Sequence, residues 1–225
     1  MNRVHIICIH GTDSLSETQI SAISKTVSSE RRRRAESYLH RTDRNNCLVA
    51  EFLLLTALYE KYGIRYLPRV CNGIYGKPYF TDPAFGCFNI SHSGDNVCCA
   101  LADSCIGVDI QNGISSPESL FSIAMSQNEI EQIRASSDPK IISAVYWSRK
   151  EAYIKYLANG IDEKIKQYDF SAFKASCFSY RGLHFFTEMT ENYALSCCSV
   201  RNDFTLRQIT AEQLTERYQM LLCGN

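Results

Sequence analysis

No run in this chain approaches the ~20 apolar residues of a membrane-spanning helix. The opening stretch MNRVHIICIHG is too short in apolar length for a secretion signal, so the expected setting is the cytoplasm. Net charge is absent too: lysine plus arginine and aspartate plus glutamate stand at 24 each. No global field draws such a chain to nucleic acid or an anionic membrane, and any electrostatic attraction must be local. Eleven cysteines are present, yet none are in a C-x-x-C pair, which removes the commonest zinc and redox spacings. Cys98-Cys99 and Cys197-Cys198 lie within apolar runs and read as small core hydrophobes kept reduced. With 45% hydrophobic and 21% charged residues, the composition is that of a folded globular chain rather than a disordered one.

Val4 to Ile9 is a strand-type run ended by the turn signal His10-Gly11-Thr12-Asp13. Residues 16–28 place Ile20, Ile23 and Val27 at helical spacing, and Ser28 or Ser29 is the expected cap of a second helix carrying Arg31 to Arg34. Asp43 is the expected cap of a third helix, with the stripe Leu48, Phe52, Leu55 and Tyr59 running to a stop at Gly63. Phe88 and Ile90, the turn Ser93-Gly94-Asp95-Asn96 and the run VCCALA predict a hairpin. In the next strand Ile106, Val108 and Ile110 face one way and Gly107, Asp109 and Gln111 the other, so an acid leaves the strand opposite its hydrophobic neighbours.

Short helices are expected over 117–125 and 128–135, and Asp138-Pro139 opens a long helix that Gly160 should close. The remainder to Val200 reads as strands, ending in HFFTEM, a polar break and YALSCCSV. That unit parallels FNISHSGDNVCCALAD, so the chain divides into two similar α/β halves, residues 1–105 and 106–225.

In the long helix, Ala144, Trp147, Ile154 and Ala158 share one apolar face, and Glu151 occupies the slot between Trp147 and Ile154. An ionised carboxylate buried without a partner costs several kcal/mol, so a lysine or a metal should meet it. Lys155 is one turn further on; the alternative is an ordinary exposed Glu/Lys pair worth about 0.3–0.5 kcal/mol.

Three blocks carry a resemblance. Gly107-Val108-Asp109-Ile110, Trp147-Ser148-Arg149-Lys150-Glu151-Ala152-Tyr153-Ile154-Lys155, and Gly76-Lys77-Pro78 followed by Phe88-Asn89-Ile90-Ser91-His92-Ser93 stand in the order and spacing found in the 4′-phosphopantetheinyl transferases. The chain resembles their double-length, monomeric type over essentially its whole length. The resemblance implies an α+β fold of two pseudo-two-fold-related halves, each with a mainly antiparallel sheet and a long helix, and an active site between them. It implies transfer of the 4′-phosphopantetheine arm of coenzyme A to a serine of an apo acyl or peptidyl carrier protein, releasing adenosine 3′,5′-bisphosphate.

It further implies Mg²⁺, with Mn²⁺ as a substitute, on Asp109 and Glu151, because a pyrophosphate under attack needs a hard cation on its oxygens. Gln111 stands where the family usually has a glutamate and would bind the metal directly or through water. Glu151 is the candidate general base, with a metal-bound hydroxide as the other candidate, and Lys155 would stabilise charge on the phosphates. Ser91, His92, Lys77, Arg31 and Arg34 match positions that contact coenzyme A. Glu129 has the capping-box spacing to Ser126 and is a secondary candidate near the site; Lys150 is read as a possible solvated residue.

Two other readings stay open. One is a nucleic-acid-binding module built on Arg31–Arg34, opposed by the zero net charge and the lack of a wider basic stripe. The other is a coenzyme A- or carrier-binding relative whose turnover is weakened by Gln111.

Overall fold

A computed structural model describes residues 3–160 and 163–222, apart from the side chains of Glu163 and Thr215. Strand β1 (Val4–Ile9) leads through helices α1 (Glu17–Thr26) and α2 (Ser29–Glu36) to the long α3 (Arg41–Tyr62). A small hairpin, β2 (Val70–Asn72) and β3 (Pro78–Phe80), precedes β4 (Cys87–Ser93), β5 (Asn96–Ala102) and β6 (Ile106–Asn112). Helices α4 (Glu118–Phe121), α5 (Gln127–Ala135) and the long α6 (Pro139–Leu157) follow, then β7 (Cys177–Tyr180), β8 (Leu183–Met189), β9 (Tyr193–Ser199), β10 (Phe204–Gln208) and α7 (Ala211–Leu222).

The start signals work as side chains that satisfy otherwise orphaned helix N–H groups. Ser28, not Ser29, caps α2 by accepting from Arg31 N at 3.1 Å. Asp138 caps α6 at Ile141 N, with Pro139 in the first turn. Gly63 ends α3 with φ 71°, the left-handed conformation glycine adopts freely. Three expected boundaries differ. Helix α3 starts two residues before Asp43, after His40; the helix expected over 117–125 covers only Glu118–Phe121; and α6 ends at Leu157, capped by Ala158 at φ 55° two residues ahead of Gly160, itself at φ 73°.

Two four-stranded sheets form the centre, ordered β10-β1-β5-β4 and β6-β9-β8-β7. Every pairing in them is antiparallel except β1 with β10. The alternation in β6 is realised: Ile106, Val108 and Ile110 join Val4, Ile6, Cys98, Ala100, Leu195 and Cys197 in an apolar layer between the sheets. Helix α3 covers the outer face of the first sheet, and α6 that of the second. Each vicinal cysteine pair splits across its strand. Cys98 and Cys197 enter the inter-sheet layer, while Cys99 faces the α3 core and Cys198 the α6 core. Cys105 and Cys177, by contrast, are exposed.

Residues 204–222, for which the sequence pattern suggested no element, return to the first sheet. Strand β10 pairs with β1, and Ile209, Leu214 and Leu221 complete the α3 core. No described helix is long and apolar enough to cross a membrane.

The sheets are also joined by a polar seam. From β4, Asn89 Oδ1 accepts from Val108 N at 2.8 Å, and Ser93 Oγ accepts from Asn112 N at 3.1 Å. On the other face of β6, Gly107 lies directly under α6: a Cβ there would sit 2.5 Å from Tyr156 N and closer still to Ala152 O. Backbone cannot yield to a methyl group as a flexible side chain can, so Gly107→Ala should destabilise the protein by about 1–3 kcal/mol, the usual cost of overpacking. Thermal unfolding would measure it, and an unchanged melting temperature would show that α6 is free to shift.

Candidate active site

The alternation of β6 aims Asp109 at α6, and the close approach at Gly107 brings that helix within reach. Lys155 Nζ donates to Asp109 Oδ1 at 2.6 Å and to Ser91 Oγ at 3.0 Å; Ser91 Oγ in turn donates to the same Oδ1 at 2.6 Å. Asp109 is 5% exposed, and its second oxygen, Oδ2, is buried with no hydrogen-bond partner among the described residues. An unpartnered buried carboxylate oxygen is costly unless a further group completes it.

Glu151 is half-buried, one turn before Lys155, and accepts no hydrogen bond among those found for the described residues. Burial and then the Asp109 charge push its pKa up, with Lys155 opposing. For Lys155 burial disfavours the charge, but Asp109 outweighs it and raises the pKa. A buried carboxylate with a free oxygen, whose charge raises the proton affinity of the glutamate beside it, has the oxygen donor chemistry of a hard divalent cation site. Gln111, next on that face of β6, donates its amide to Asn112 O at 3.3 Å and leaves its carbonyl oxygen available. Among the described residues no group of three or more His, Cys, Asp or Glu side chains gathers as a metal site, here or elsewhere.

Beside this cluster opens a cleft of about 450 Å³, lined by α2, α3, the β2–β3 hairpin and β4. Arg31, Arg34 and His92 all line it. Burial and Lys155 lower the His92 pKa. Arg32 turns away to donate to Ser24 O and Val27 O, so the four arginines do not form one basic face. Lys77 is not brought to the cleft wall: its ammonium donates to Ile106 O at 2.8 Å, and burial lowers its pKa.

Lys150 is fully buried rather than solvated, and Glu129 is equally buried. They pair at 2.9 Å, with Lys150 also donating to Ile165 O and Tyr168 O. Glu129 additionally accepts from Ser126 N in the capping box and from Phe170 N at 2.9 Å. Burial drives both groups toward their neutral forms, and every bond they make opposes that. This pair fastens α5 and the 165–170 segment to α6, and Glu129 has no oxygen left for a ligand. The Glu151 stripe is also wider than its spacing suggested, since Ser148, Arg149, Lys150 and Tyr153 are buried on the remaining faces of α6.

Glu51 was not signalled as a site residue. It is 2% exposed on the cleft wall and bonded to Arg31 at 3.0 Å. The signal was available: like Glu151, it is an acid within an apolar stripe, between Leu48 and Leu55.

Comparison with known proteins gives one consistent result. The model of the 4′-phosphopantetheinyl transferase superfamily matches residues 105–220. The 4′-phosphopantetheinyl transferase psf-1 of Bacillus pumilus is 30% identical over 72% of this chain and 69% of its own length. The gsp enzyme of Aneurinibacillus migulanus is 26% identical over 89% and 87%, and ffp of Bacillus subtilis 26% over 84% and 89%.

Two outcomes test the geometry. Removing one partner of a buried ion pair strands the other, so Lys150→Met should cost about 3–5 kcal/mol in chemical denaturation. Glu151 has a raised folded-state pKa, so its stabilising contribution is present at low pH and lost as pH rises through that pKa. In metal-free buffer Glu151→Gln should therefore melt higher than the parent at pH 8, with the gap closing as pH falls toward 4; a constant gap would refute the shift.

Proposed function

Because the chain belongs to the 4′-phosphopantetheinyl transferase superfamily, a family of enzymes, we propose that it transfers the 4′-phosphopantetheine arm of coenzyme A to a serine hydroxyl of an apo acyl or peptidyl carrier protein, releasing adenosine 3′,5′-bisphosphate. The observation that carries this reading is the convergence of Asp109, Glu151 and Lys155 from two elements beside an arginine-lined cleft. We take the enzyme to act as a cytoplasmic monomer. We also read its two sheets as pseudo-two-fold-related halves, residues 1–105 and 106–225, because in each the half's first strand lies beside its last in the same sheet (β1 by β5, β6 by β9), with the preceding strand next (β4, β8), and each half carries one long helix. The final strand and helix then return across that division.

Asp109 Oδ2 and the Glu151 carboxylate, with Gln111 directly or through water, would hold Mg²⁺ or Mn²⁺, whose chemistry is to neutralise charge on the pyrophosphate oxygens. Arg31 and Arg34 bind the nucleotide end of coenzyme A in the cleft, with His92 at its inner edge. Lys155 turns from Asp109 and Ser91 to the phosphates and stabilises the negative charge that grows on the leaving group. Glu151 accepts the serine proton. Among the hydrogen bonds found for the described residues none engages its carboxylate, which leaves an oxygen to take the proton. Lys77 contributes to ligand binding only by giving up its bond to Ile106 O.

Incubation with coenzyme A, Mg²⁺ and an apo carrier should add ~340 Da to the carrier, the mass of the transferred arm, as read by intact-protein mass spectrometry. Glu151→Ala should reduce the rate by at least about 10²-fold, the lower range for removing a general base. Chelation of divalent cations should stop transfer. An active, folded Glu151→Ala variant would remove Glu151 from the mechanism, and no mass gain on any of a panel of carriers would overturn the function.

A further inference from the structure

We propose that Glu51 is a positioning residue: it holds the Arg31 guanidinium so that one edge is presented to a phosphate in the cleft. This rests on the coenzyme A reading above and adds to it the group that sets the orientation of the phosphate-binding arginine.

Glu51 stands on α3 in the apolar run from Leu48 to Leu55, where a leucine would pack and a carboxylate must be compensated. The compensation is complete. Oε1 accepts from Ser28 N at 2.6 Å, and Oε2 accepts from Ser28 Oγ at 3.2 Å and from Arg31 Nε at 3.0 Å. The α2 cap does not need it, since Ser28 Oγ already accepts from Arg31 N. What the carboxylate adds is a fixed position for the Nε edge of Arg31. Nη1 of the same guanidinium lies 3.9 Å from Cys47 Sγ, so the group is steadied at two points by α3, while Nη2 has no acceptor among the hydrogen bonds found for the described residues. A guanidinium held at Nε offers its outer N–H groups in a fixed fork, the arrangement that suits a phosphate. The neighbouring arginines are not prepared in this way: Arg34 is exposed and touches only Tyr38 Oη, at 3.4 Å.

The charge balance of the cleft shows why orientation matters. Arg31 and Arg34 are opposed there by Glu30, Asp43 and Glu51, so the wall provides no net positive field. Anion binding has to come from directed hydrogen bonds. Two accounts of Glu51 therefore differ in sign. If field strength governed binding, neutralising Glu51 would add positive charge and tighten it; if Glu51 positions Arg31, neutralising it weakens binding.

Isothermal titration of adenosine 3′,5′-bisphosphate and of adenosine 5′-monophosphate into the full-length protein separates these accounts. Glu51→Gln should bind the bisphosphate roughly tenfold more weakly, as expected for loss of one charge-assisted hydrogen bond, and the monophosphate about equally well. Arg31→Lys should show the same selective loss, and the double variant little more. Glu51→Asp, which keeps the charge but draws it back by one methylene, should weaken binding part-way and serves if Glu51→Gln folds poorly by circular dichroism. Equal or tighter bisphosphate binding by a folded Glu51 variant would overturn the proposal, as would an equal loss for both nucleotides. A parent protein that binds neither the bisphosphate nor coenzyme A would instead defeat the coenzyme A reading, and this inference with it.

Discussion

Backbone lies against backbone where β6 passes under α6, and the site depends on that contact. Gly107 has no side chain, so the helix main chain around Ala152 and Tyr156 rests directly on the strand. Two residues along, Asp109 then comes within hydrogen-bonding distance of Lys155, with Ser91 of the adjoining sheet reaching the same oxygen. A larger residue at 107 would separate the strand carrying one carboxylate from the helix carrying the other. The polar seam from Asn89 and Ser93 to β6 fixes the sheet that supplies the third side. Interiors packed at crystal-like density transmit such a displacement rather than absorb it.

Around that contact the protein buries ionisable groups in two distinct ways. Glu129 and Lys150 have their oxygens and donors engaged, Glu51 has both oxygens engaged by Ser28 and Arg31, and each pair ties a secondary element to a long helix. Such pairs contribute little net stability against an apolar replacement, but they specify one geometry, because the loss of either partner leaves a bare charge. Asp109 and Glu151 are different. Among the described residues, one oxygen of the first is buried and unpartnered, and the second is half-buried and accepts no hydrogen bond that was found. Asp109 Oδ2 is the one carboxylate oxygen among the described residues that is buried without a partner, which separates the candidate centre from the paired carboxylates of the scaffold.

Much of this was legible in local pattern. The period-2 alternation at 106–111 placed Asp109 opposite the core, and the Ser28, Asp138 and Gly63 signals set helix ends because they act within one turn of themselves. The acid in an apolar stripe at 151 pointed to the site, and the same pattern at 51 marks a cleft residue. Boundaries that depend on neighbouring packing were less legible: α6 stops at Ala158 although Gly160 carries the stronger stop signal. Where residues 204–222 dock was not legible locally, because β10 pairs with β1, some two hundred residues back in the chain, and α7 packs on the core of α3.

What the sequence determined by itself was a set of candidate groups and their donor chemistry: two carboxylates, a lysine one turn beyond the second, a cluster of arginines, and three motif blocks in order. Which of these meet was decided by the tertiary structure. By its motif Lys77 read as a coenzyme A contact and Lys150 as a solvated residue, yet one ammonium is bound to Ile106 O and the other is sealed against Glu129. Arg31 and Arg32 are adjacent in sequence, yet one is aimed into the cleft by Glu51 and the other is spent on backbone carbonyls. The reason is physical: residue type and spacing fix donor chemistry and helical face, whereas the partner that satisfies a buried charge comes from elements brought together only when the core closes.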